Sequence, residues 1–297
     1  MDADQFDLIK WTGKCEKAEG NNNHHNQFIS AKLFINDLLP EAERDIEKME
    51  QLRNQLIEKC KKDDAMFTRL IILINDMIHL SFRIEVDQGE NTSRKGSGRF
   101  ICDGEDIKAI TAAHIVEDES EARNSKVWIN FNCPTMIDQK EEMCVENLIS
   151  SKKKEDYCEI ALNFNQEFKN ELINIGKRMK TRRIYFLKNL MKRKKNRLFI
   201  LVSHPHGCSK YVSVGYSLIE DGLPKRNSTS SEEEEKNDFD YYDYKCYDTP
   251  SCKGSSGGLL IYLNSENEYV HSSSPGGDNR SSEPINFRAL VDDGAFV

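Results

Sequence analysis

Downstream of Leu80 the chain is written in short apolar or alternating stretches broken by Gly, Asn and Asp, a rhythm that few folds accommodate. Ser81 to Val86, Arg99 to Cys102, Ala109 to Ala112, Val127 to Phe131, Tyr157 to Leu162, Leu198 to Val202, Tyr211 to Ser217 and Leu259 to Tyr262 each have strand length and strand composition. Many short strands separated by turn residues read as a mainly β sandwich or barrel. No internal repeat is visible.

The first 80 residues have a different period. Leu39, Ala42, Ile46, Met49, Leu56 and Cys60 recur at three- and four-residue steps among Glu, Lys and Arg, and Pro40 suits a first helical turn. A second helix is expected from Asp64, whose carboxylate can accept from free N–H groups at the helix start, carrying Phe67, Leu70, Ile71, Ile74 and Ile78 inward. The chain therefore divides into an α-helical N-terminal extension over residues 1–80, a hairpin or short coiled coil, and a β domain over 81–297. Self-association through these helices is one outcome. Arg53 on a seam of about three heptads favours intramolecular packing instead.

Composition narrows the class. With 38% hydrophobic and 31% charged residues the chain reads as globular, and a net charge of -8 argues against wholesale wrapping by nucleic acid. The segment Met1 to Asp7 is acidic with no apolar run behind it, which leads us to expect an intracellular, cytoplasmic or nuclear protein that is not secreted. Leu70 to Leu80, interrupted by Asn75 and Asp76, falls short of the roughly 20 residues that span a bilayer, so no membrane partner is expected. In a reducing compartment the nine cysteines read as thiols, and the sequons at Asn91, Asn227 and Asn279 as unused. None of the cysteines forms a CxxC pair.

Two charged segments interrupt the β region. Lys177 to Arg197 is rich in Lys and Arg without Asp or Glu; the insertion at about 224–244 includes the acidic run Glu232 to Asp243. The acidic one reads as a surface insertion with little to bury. The basic one reads as a solvated loop or helix face, with local nucleic-acid attraction as the rival reading.

Chemistry concentrates in three places. Gly254-Ser255-Ser256-Gly257-Gly258 precedes an apolar strand, Gly96-Ser97-Gly98 precedes another, and Thr111-Ala112-Ala113 leads into His114. Together, in the order His then Ser, these resemble the trypsin-like, chymotrypsin-fold serine peptidases of the intracellular type: G-x-S-G-G, GSGF and TAAH. The resemblance covers residue 81 to the C-terminus. It implies a double β-barrel, a serine endopeptidase acting on a polypeptide substrate through an acyl-enzyme, Ser256 as nucleophile, His114 as base, and the N–H groups of Gly254 and Ser256 as oxyanion hole. No cofactor and no metal is implied.

The triad also needs a carboxylate on the far side of the imidazole. Asp156 and Glu159 compete. In the family resembled, the acid shares its face with buried apolar residues; counting by twos from Asp156 meets Cys158, Ile160 and Leu162, whereas from Glu159 it meets Ala161, Asn163 and Asn165, so the resemblance favours Asp156, with Glu159 as the alternative. Ser203-His204-Pro205-His206-Gly207 resembles the family's SHPHG turn. His204 and His206 are read as structural, since zinc wants three or four convergent ligands. Tyr269 to Ser272 reads as the strand edge lining the specificity pocket, with His271 in it.

Two departures from the secreted members matter. Ser255 stands where their activation-linked Asp would be, so the domain should form without zymogen cleavage. Pro250 and Ser251 stand at the pocket base, where an acid would select Lys or Arg; an apolar or aromatic P1 residue is expected instead. The rival function is a catalytically silent binding or scaffold protein on the same fold, nucleic-acid associated through residues 177–197.

Overall fold

The computed structural model describes residues 28–35, 64–90, 92–132, 141–153, 156–190, 198–216, 249, 251–263, 268–272 and 287–290. The expected first helix, between residues 36 and 63, and the acidic insertion lie outside the described residues.

Six strands close into an antiparallel barrel in the order β2-β3-β4-β7-β6-β5: Ser81–Gly89 (β2), Thr92–Asp103 (β3), Asp106–Thr111 (β4), Ser125–Ile129 (β5), Glu141–Lys152 (β6) and Tyr157–Leu162 (β7). Its interior follows from side-chain alternation. Phe82, Ile84 and Val86 on β2 and Cys158, Ile160 and Leu162 on β7 point inward and are buried. A short helix, Glu119–Arg123 (α2), caps one side, its start held by the Asp118 side chain accepting from the Glu121 N–H.

The second half is a six-stranded antiparallel sheet ordered β1-β9-β8-β10-β11-β12. It comprises Ile29–Ser30 (β1), Leu198–Ser203 (β8), Tyr211–Tyr216 (β9), Leu259–Tyr262 (β10), Glu268–Ser272 (β11) and Phe287–Leu290 (β12). β8 is buried along its whole length, as a central strand covered on both faces must be.

Two helices close the core. Asp64–His79 (α1) falls where the second helix was expected and buries Leu70, Leu73, Ile74, Met77 and Ile78 in the same apolar cluster as the barrel strands. Gln166–Leu190 (α3) absorbs the first part of the basic run and packs on α1 and β3. The expected helical character fails at Ala31–Phe34, which form a 3-10 turn, because Ile29 and Ser30 instead pair with Val212 and Tyr211 of β9. Segments before residue 80 thus join both halves of the β structure. No described helix is long and apolar enough to cross a membrane.

Candidate active site

β4 ends at Thr111, and the following turn carries His114 out to solvent, its side chain 43% exposed. β7 starts one residue after Asp156, so adjacent strand ends bring the two side chains together. His114 Nδ1 lies 2.9 and 2.8 Å from the two carboxylate oxygens of Asp156, and the His114 backbone N–H donates to the same carboxylate at 3.0 Å. With a carboxylate as acceptor, Nδ1 carries the proton and Nε2 is left as the basic nitrogen. Asp156 has φ +52°, a left-handed conformation that Asp tolerates better than most residues. Glu159, the competing carboxylate, lies within β7 and accepts from the Tyr157 hydroxyl at 2.9 Å.

Ser256 sits in the turn before β10, 4% exposed. The turn is closed by N–H groups of Ser255 to Cys252 O (2.9 Å), Gly257 to His271 O (2.7 Å) and Gly258 to Ser255 O (3.0 Å). These alternate with the N–H groups of Gly254 and Ser256 that an oxyanion hole would use. Two glycines are obligatory. Gly254 has φ +89°, and a Cβ there would lie 2.8 Å from His204 O and Gly207 N. Gly257 has φ +85°, and a Cβ there would reach 2.1 Å from Ser97 O and 3.0 Å from Ala112 N. The serine turn is therefore pressed against the strand end that leads into His114.

Ser255 is fully buried, its hydroxyl 3.2 Å from that of Ser203 and accepting from the Cys252 N–H. His204 is also fully buried, with Nδ1 3.0 Å from Cys208 O; burial first, then the Lys210 and Arg83 charges, push its pKa well below the usual histidine value. It stays neutral. His206 holds φ +56° in the turn Pro205–Gly207, and its N–H donates to Lys253 O. Of the pocket candidates, Ser251 and His271 are buried, His271 pairing by backbone with Gly257 and Gly258, while Pro250 lies outside the described residues. Among the described residues no group of three or more His, Cys, Asp or Glu is placed to hold a metal ion.

Sequence reasoning treated Ser97 only as a letter in G-S-G; its contacts join segments far apart in the chain, and no local pattern announces them.

No protein-family model matches the chain, and neither does any curated protein. Solved structures do. An HtrA-type protease, AlgW, with a tripeptide matches at 13% identity over 74% of this chain and 59% of that one, TM-score 0.44. A serine endoprotease from Yersinia pestis matches at 12% identity over 74% of this chain and 61% of that one, TM-score 0.44. The inactive serine-to-alanine mutant of Rv3671c from M. tuberculosis matches at 13% identity over 74% of this chain and 84% of that one, TM-score 0.41. The chain thus spans about three-fifths of the length of the first two. Its own topology is a closed six-stranded barrel followed by a six-stranded antiparallel sheet, with the serine turn against the barrel strand that leads to His114. The chain is mainly β, a closed barrel followed by a second antiparallel sheet. Within that fold the double barrel expected from sequence is represented by one closed barrel and, among the described residues, one sheet that is not a closed ring.

Proposed function

We propose that the chain is a serine endopeptidase using Ser256, His114 and Asp156. The observation that carries the reading is the Asp156 carboxylate within 3 Å of His114 Nδ1, which leaves Nε2 to take a proton. In this reading His114 Nε2 accepts the Ser256 hydroxyl proton as Oγ attacks the scissile carbonyl carbon. Gly254 and Ser256 N–H groups receive the oxyanion, and His114 returns the proton to the leaving amine. Water, activated by the same imidazole, then hydrolyses the acyl-enzyme. Pro250, Ser251 and His271 are the pocket residues in this reading, and with no acid among them the P1 preference is for an apolar or aromatic side chain, as expected from sequence. The substrate class is polypeptide, and the chemistry requires no cofactor. Within the basic run Arg182 and Arg183 turn toward the protein while Lys177, Arg178 and Lys180 are exposed; nucleic-acid contact through 177–197 and self-association through the N-terminal helices are separate readings that this one does not require.

Labelling of the full chain with a fluorophosphonate probe tests this. Labelling that Ser256→Ala and His114→Ala each abolish is the expected result. Absence of labelling in the wild-type chain would favour the silent binding protein.

A further inference from the structure

Ser97 lies in β3 between Gly96 and Gly98, fully buried. A Cβ at Gly96 would strike the Ile115 side chain at 2.8 Å, and one at Gly98 the Phe82 ring at 2.1 Å, so only the middle residue of the three has room for a side chain. All its polar groups are engaged. Its N–H donates to Ser256 O at 2.9 Å, its carbonyl accepts from Thr111 Oγ1 at 2.7 Å, its hydroxyl donates to Gly254 O at 2.7 Å and accepts from the His204 N–H at 2.8 Å. The hydroxyl's direction is fixed, because an amide N–H can only donate and a carbonyl can only accept.

We infer that Ser97 is the positioning residue of the oxyanion hole, setting both of its N–H donors from the opposite half of the fold. The inference rests on the peptidase reading. Ser97 grips the carbonyls of Gly254 and Ser256, and between those two anchored peptides lies the one bearing the Ser256 N–H. The Gly254 N–H belongs to the Lys253–Gly254 peptide, whose carbonyl accepts from His206 N–H. Carbonyl and N–H of a trans peptide point in opposite directions, so this bond aims the Gly254 N–H away from the 204–207 turn. That turn is tied to Ser97 through the His204 N–H. One hydroxyl therefore connects the supports of both donors. With Ser255 neutral, the hole is ordered by uncharged hydrogen bonds and requires no new N-terminus.

The test compares full-length wild type, Ser97→Ala and Ser97→Cys. The readouts are the rate constant of fluorophosphonate labelling, its pH profile, and amide hydrogen exchange across 252–258. Ser97→Ala is expected to slow labelling roughly 10- to 100-fold without moving the pH profile, somewhat less than deletion of an oxyanion donor itself. Exchange should quicken in 252–258 and not in the barrel strands, and Ser97→Cys should be intermediate. Labelling within about threefold of wild type would overturn the inference, as would slow labelling with unchanged loop exchange. Failure of the wild type to label would sink the peptidase reading instead; faster 252–258 exchange in the variant would then still support Ser97 as the anchor, and unchanged exchange would refute it. If Ser97→Ala does not fold, Ser97→Cys carries the same comparisons.

Discussion

Asp156 shows how much one position can decide. Parity along a strand separates it from Glu159, three residues away, because side chains alternate between core and surface and the acid must share the face of Cys158 and Ile160. In the proposed reading the sequence marks a histidine after an apolar strand, a serine among glycines, and a carboxylate just ahead of a strand with a buried row. Asp156→Asn preserves shape and tolerates the positive φ, but the amide can donate to Nδ1 and favour the wrong tautomer. Labelling or peptide hydrolysis should fall about 10³- to 10⁴-fold, whereas Glu159→Gln, removing only the surface partner of Tyr157, should stay within about twofold. Equal losses in the two variants would show that Asp156 does not orient His114. Ser97 was not legible in the same way, since its partners lie 14, 107, 157 and 159 positions along the chain: Thr111 on its carbonyl, His204 and Gly254 on its hydroxyl, and Ser256 on its N–H.

Elements were legible where their burial had a period. β7, buried at every second residue, matches its expected bounds, as does β10 by being apolar throughout, while β6 eluded the pattern because only Val145 of its described side chains is buried. β3 was expected only from Arg99, since Gly96 and Gly98 resemble a loop until Ile115 and Phe82 are seen packed on them. The basic run, read as a solvated loop or helix face, continues a helix begun at Gln166, and part of that face is not solvated. The reason lies on α1: Asp76, which interrupts an apolar stretch, has its side chain 3% exposed and is met by Arg182 and, at 3.4 Å, by Arg178 of α3. Charges that read as a solvated face partly neutralise a buried acid. Asp76→Ala strands those arginines, though both retain access to water, and should lower unfolding stability in urea by about 2 kcal/mol. Arg178→Ala, at a guanidinium half exposed, should cost no more than about 0.5 kcal/mol. A loss below that smaller value for Asp76→Ala would mean the α1–α3 contact rests on apolar packing alone.

At the scale of the molecule, sequence divides the chain at residue 80 and the structure sews across that line. β1 extends the second sheet, α1 fills the shared core, and Lys210, just before β9, sends a fully buried ammonium to Ile78 O at 2.6 Å and Ser81 O at 2.7 Å, joining sheet, helix end and barrel. No local period marks such a lysine. Burial pulls its pKa down to about 7. An unfolded chain returns the lysine to its ordinary value near 10.4. Between those two values the unfolded state binds more protons than the folded one, so stability rises with pH from about 7 toward 10 and is insensitive to this group below 7. Lys210→Met has no proton to bind and leaves two carbonyls without their donor. Its stability at neutral pH reflects the balance of those opposed effects; its pH dependence does not. Urea midpoints measured from pH 6 to 10 should climb for the wild type relative to Lys210→Met, the difference approaching roughly 1 kcal/mol per pH unit on the steepest part. Parallel curves would mean that the buried lysine stays charged throughout, held by its two carbonyls.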